Sequence, residues 1–152
     1  MSLALDQLTA DAICALLPHA GGVCQIEAVS VCDENRIVCT TEAHRRPDNP
    51  LRRDERLSVH AGIEIAGQAM ALHMALLAAE SAEKHQPRQG MITRLNGVSW
   101  TVDRLDTIEG PLTVTAECQT MAGQVARYGF ALMRAETCLL KGTASVFLAD
   151  QD

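Results

Sequence analysis

His60–Ala79 reads HAGIEIAGQAMALHMALLAA. The stretch is almost wholly apolar, yet it carries a carboxylate at Glu64 and an amide at Gln68. A helix that is apolar on nearly every side must be wrapped on nearly every side. The pattern predicts such a helix over about 59–83, capped by Ser58, at the centre of the fold. Glu64, Gln68 and His73 interrupt the run too often for a membrane span. An acid kept inside a buried helix asks for a chemical reason. The alternative is a helix-start acid favoured by the macrodipole.

Working outward, residues 3–17 place Leu5, Leu8, Ile13, Leu16 and Leu17 at helical spacing, with Thr9 as a cap and Pro18 as a stop. Two strand-like runs follow, Val23–Cys32 and Arg36–Thr41, split by the turn residues Asp33-Glu34-Asn35. HRRPDNPLRRDERL, residues 44–57, is too rich in charge and proline for a regular element. Beyond the helix, Lys84–Gln89 is a polar exit containing Pro87. The runs Met91–Val102, Leu112–Thr120, Val125–Arg134 and Cys138–Leu148 then read as strands, with a kink at Gly97. This order predicts one α+β domain over 1–152, an antiparallel sheet folded around one long helix. Its free sheet edges make a dimer the natural expectation.

The composition supports a core of 47% hydrophobic residues with only 3% aromatics, so Ala, Leu, Ile, Val and Met must fill it. A net charge of −6 argues against nucleic acid as a partner. Arg45, Arg46, Arg52, Arg53 and Arg56 form a local basic exception, either a solvated loop or a site for an acidic partner. The six cysteines contain no CxxC pair, so no zinc site is expected. The N-terminus lacks a basic start and carries Asp6 and Asp11, unlike a signal peptide. The expectation is a cytoplasmic protein with reduced thiols serving as small core residues.

Several motifs resemble one family. Leu16-Leu17-Pro18-His19, Asn49-Pro50 and the block from Gly62 through Glu64, Gln68 and His73 resemble the hotdog-fold 3-hydroxyacyl-carrier-protein dehydratases. The likeness spans about 16–149 and is nearest to the group associated with aryl polyene pathways. The resemblance implies dehydration of 3-hydroxyacyl thioesters, linked to acyl carrier protein or CoA, to trans-2-enoyl thioesters. It implies a site at a dimer interface, where a His from one subunit takes the C2 proton and Glu64 of the other protonates the departing hydroxyl. It also implies that Asn49, Pro50, His60, Gly62 and Gln68 line the substrate, with the helix N-terminus offering a backbone N–H to the thioester oxygen. No metal or redox cofactor is implied; phosphopantetheine arrives with the substrate. An acid that donates a proton at neutral pH needs a raised pKa, and burial in an apolar helix would raise it.

The base stays open among three histidines. His19 fits the Pro-His opening. His44 precedes the proline loop, but it lacks the flanking glycines of the GHFPG pattern found in better-known members. His60 lies one turn before Glu64. His73 reads as a hydrogen-bonded core or dimer-facing histidine. Two rival functions remain: a hotdog thioesterase using Glu64 as base or nucleophile, and a non-catalytic partner subunit of a dehydratase heterodimer.

Overall fold

The computed structural model describes residues 5–17, 23–80 and 89–149. A 3-10 turn, Leu5–Gln7, leads into helix α1 (Ala10–Ala15). Its cap is the expected one: Thr9 Oγ1 accepts from the Ala12 N–H at 3.1 Å. Strands β1 (Ala28–Cys32) and β2 (Arg36–Thr41) form the predicted hairpin. Asp33 Oδ1 makes its turn by accepting from the N–H groups of Asn35 and Arg36, both at 2.9 Å. Residues 23–27, expected within the first strand, run outside it. Helix α2 (Ala61–Glu80) is followed by β3 (Gln89–Trp100), β4 (Leu112–Ala122), β5 (Val125–Arg134) and β6 (Thr137–Ala149). Pro18, His19 and the polar exit at 84–88 lie outside the described residues.

The six strands form one antiparallel sheet in the order β1-β2-β4-β5-β6-β3. Alternation sets the faces: Leu112, Val114 and Ala116 of β4 and Ala126, Tyr128, Phe130 and Leu132 of β5 all point into the core. The kink expected at Gly97 is a left-handed residue, φ 59°, where the β3–β6 register shifts between Asn96 and Ser99. α2 packs on β2, β3, β4 and β5. This is the sheet-around-helix arrangement that the hotdog resemblance implies.

α2 approaches the sheet closely because its first turn has no side chain at Gly62. A Cβ there would lie 2.6 Å from Leu140 Cδ2 and 2.9 Å from Leu132 Cδ2, and both leucines are fully buried. Gly62→Val should therefore destabilise the fold by about 1–3 kcal/mol through overpacking. A urea midpoint equal to that of the unaltered chain would refute this tight contact.

Two further expectations fail. α2 is not wrapped on every side: Glu64, Gly67, Ala71, Met74 and Ala78 form a stripe that is exposed or half-buried in the single chain. The helical period turns Ile65, Ala66, Ala69, Leu72 and Leu76 inward instead. By length and composition α2 would suit a membrane span, but 56% of its most apolar window is buried within the fold.

The thiols are also not all reduced. Cys14 of α1 and Cys24 form a disulfide, their Cα atoms 5.8 Å apart, while Cys32, Cys39, Cys118 and Cys138 are free. Folding α1 back toward the start of β1 brings two cysteines ten positions apart within bridging reach. Constraining that loop in the unfolded chain is worth about 2–3 kcal/mol in the chain-entropy model. Reduction, or the pair Cys14→Ser and Cys24→Ser, should lower the urea midpoint accordingly; coincident curves with and without reductant would count against the bridge.

Candidate active site

Upstream of β1, the extended segment 23–27 straps the loop before α2 to α2 itself. Gln25 is its centre and is 1% exposed. Its backbone N–H donates to Gln68 Oε1 at 2.7 Å, and Gln68 Nε2 donates to the Val23 carbonyl at 3.0 Å. Gln68 Nε2 also lies 3.3 Å from Glu64 Oε1, one helical turn away. On the other side, Gln25 and Asn49 exchange amide hydrogen bonds. Asn49 Nδ2 donates to Gln25 Oε1 at 2.8 Å, and Gln25 Nε2 donates to Asn49 Oδ1 at 3.3 Å. Asn49 Nδ2 further donates to the Ala43 carbonyl at 2.8 Å. Glu27 adds to the strap, accepting from the Glu42 N–H and pairing with Arg46. Gln68 and Asn49, expected to face substrate, thus spend their amides inside a buried network.

That network places a 3-10 turn, Ala43–Arg45, which carries His44. His44 is fully buried. Its Nε2 lies 2.9 Å from the Ile108 carbonyl oxygen. A carbonyl only accepts, so Nε2 carries the proton and Nδ1 the lone pair. Nδ1 is buried without a hydrogen-bond partner. Burial pushes the imidazole below its ordinary pKa, overriding the Ile108 carbonyl, which favours the charged form. The ring is therefore neutral at pH 7, with one nitrogen fixed and the other unengaged. The loop bearing Ile108 is itself held against the start of α2: Leu105 N–H donates to the Leu57 carbonyl at 2.8 Å, and Leu57 N–H to Asp106 Oδ1 at 3.0 Å. The Arg104 guanidinium beside Asp106 holds that carboxyl well below the usual range.

Glu64 stands on the open stripe of α2, and its side chain is exposed in the single chain. The expected burial of the acid is absent within one chain, because the helical period turns position 64 away from the sheet. Gly62 also departs from expectation. Its N–H is taken by the Val59 carbonyl at 2.9 Å, and its Cα faces Leu132 and Leu140. His60 is exposed; its Nδ1 hydrogen-bonds the Ser58 hydroxyl at 3.1 Å and its ring meets Trp100 edge-on at 4.6 Å. Pro50 is exposed, its carbonyl accepting from Arg53 at 2.9 Å. His19 lies outside the described residues.

His73 is the core histidine that its surroundings predict. Nε2 donates to the Asp33 carbonyl and Nδ1 accepts from the Tyr128 hydroxyl, both at 2.7 Å. Beside the open stripe, Gly67, Met70, Ala71 and Met74 face Ile92 and Val146 across an apolar crevice of about 40 Å³. Among the described residues no three His, Cys, Asp or Glu side chains gather as a metal site would require.

Sequence reasoning missed Gln25 and Glu27. A signal was present: both are polar and two apart, on one face of a run read as a strand.

The family model described as ApeP-like, ApeP dehydratase, matches residues 11–152. No curated protein matches. Among solved structures, the dehydratase heterocomplex ApeI:P from Xenorhabdus doucetiae is similar at a TM-score of 0.78 and 19% identity, over 91% of each chain. A hypothetical thioesterase with coenzyme A from Streptococcus pneumoniae is similar at 0.57 and 14%, over 81% of this chain and 85% of that one. A mutant thioesterase from Pseudomonas aeruginosa is similar at 0.60 and 13%, over 99% of this chain and 97% of that one. Such identities speak for the hotdog fold alone, which dehydratases and thioesterases share. The family match runs from Asp11 to the last residue, and on it the chain belongs to the ApeP-like dehydratase family.

Proposed function

We propose that the chain dehydrates 3-hydroxyacyl thioesters to trans-2-enoyl thioesters, with His44 as base and Glu64 as acid. The observation that carries this reading is the His44 imidazole. Its Nε2–H is held by the Ile108 carbonyl and its Nδ1 has no partner. A weakly acidic C2 proton needs a neutral base with a free lone pair; this ring holds one, at a nitrogen closed to solvent in the single chain. His44 is preferred to His60 because its tautomer is fixed by the Ile108 carbonyl, whereas the Ser58–His60 bond suits either tautomer. The Nδ1 lone pair takes the C2 proton while Glu64 gives a proton to the leaving hydroxyl, so water departs and a double bond forms. The active unit in this proposal is a homodimer or dimer of dimers, in which a second copy covers the stripe around Glu64. The crevice along Gly67 and Met74 marks where an acyl chain would enter as the methionines rearrange. The exposed Arg45 and Arg53 would meet an acidic carrier protein, speeding encounter at low salt. In the same proposal phosphopantetheine is brought by the substrate.

The deciding experiment incubates the purified protein with a 3-hydroxyacyl pantetheine thioester. Loss of water without free thiol supports dehydration; free thiol supports the thioesterase reading. One observation favours a further alternative, since the similar dehydratase ApeI:P is a heterocomplex. If this chain is one half of such a pair, turnover should appear only when the second chain is added.

A further inference from the structure

We propose that Gln25 is a positioning residue that sets Glu64 and His44 at once; this rests on the dehydratase reading above. Three observations carry it. Gln25, Asn49 and Gln68 are respectively 1%, 5% and 5% exposed, so their hydrogen bonds are shielded from competing water. The backbone N–H of Gln25 and the neighbouring Val23 carbonyl take both ends of the Gln68 amide, which fixes its orientation and leaves Nε2 toward Glu64 Oε1. The side chain of Gln25 takes the Asn49 amide, and Asn49 holds the Ala43 carbonyl, one residue from His44.

One residue thereby links the turn that carries the base to the helix that carries the acid. Each amide has one way round that satisfies its partners, so the network has a single low-energy arrangement. Where His44 and Glu64 of one chain serve two sites across a dimer, the same strap sets half of each site. Gln25 touches neither substrate nor reacting atoms. Its backbone N–H acts through Gln68 and its side chain through Asn49, so losing the side chain would displace groups on the His44 side rather than remove them. Displacements of about 1 Å from the productive geometry cost up to roughly 100-fold in rate.

The test uses the full chain and two variants: Gln25→Met keeps length and the backbone N–H that binds Gln68 but loses the side-chain amide, and Gln25→Glu keeps the oxygen that accepts from Asn49 but not the Nε2 donor. kcat for dehydration of a 3-hydroxyacyl pantetheine thioester should fall about 10- to 100-fold in Gln25→Met with KM little changed, and recover in part in Gln25→Glu. Combined with Asn49→Ala, Gln25→Met should cost less than the sum of the two single effects, because both break one link. A merely structural Gln25 would lower the melting temperature and leave kcat untouched well below it, and that result overturns the proposal. Failure of the dehydratase reading looks different, since Glu64→Gln and His44→Asn would then also leave turnover unchanged. If the unaltered chain turns nothing over, imidazole nitrogen NMR serves instead. Gln25→Met should change the His44 titration or tautomer ratio, and identical His44 spectra refute the link.

Discussion

Glu64→Gln lowers dehydration turnover by about 10²- to 10⁴-fold, the range expected when a positioned general acid is removed. The amide copies the shape of the carboxyl and can still face Gln68, but it has no proton to give. Because Glu64 is exposed in the single chain, the exchange should change monomer stability by no more than about 0.5 kcal/mol. Loss of activity without loss of fold therefore reads directly on chemistry. The check is steady-state turnover beside a urea titration of the same preparation. Unchanged turnover would leave Glu64 as a helix-start acid and nothing more.

His44→Asn should have an effect of similar size, about 10²- to 10⁴-fold. Asn is too short to reach the Ile108 carbonyl that Nε2 meets, and it offers no basic lone pair. The pH dependence gives a second handle. The base works only when neutral, so kcat/KM falls as pH drops through its pKa. Burial places that pKa below the ordinary histidine value of about 6.5, so activity should persist to more acidic solution than an exposed imidazole would allow. Stability follows the same sign. Below about pH 6.5 the unfolded chain takes up a proton that folded His44 resists, as folded His73 does too, so stability falls as pH decreases. An acidic limb of kcat/KM at or above 6.5 would speak against His44 as the base.

The fold was largely legible in the sequence because periodicity reports burial. The apolar run of α2, the alternation in β4 and β5, and the glycine at the β3 bulge each carried a local physical signal that the structure repeats. The open stripe on α2 was not legible. Its members besides Glu64 are Gly67, Ala71, Met74 and Ala78, and small apolar residues look alike whether a sheet or a second subunit covers them. The Cys14–Cys24 bridge was missed because spacing alone does not fix connectivity; only the fold of α1 brings the pair together. Within the site, His44 and Glu64 were visible as chemically able residues. Their buried surroundings were not: Asn49 and Gln68 looked like ligand-facing groups, and their partner Gln25 lay in a run read as a strand.

The central claim is that an imidazole of one copy works with a carboxyl of the next. Mixing separately inactive Glu64→Gln and His44→Asn proteins tests it most directly, with mixed dimers confirmed by native mass spectrometry. Half of the sites in such a dimer would combine an intact His44 with an intact Glu64. Activity should return on mixing, to a fraction of the unaltered protein. Mixed dimers that remain as inactive as their parents would contradict it.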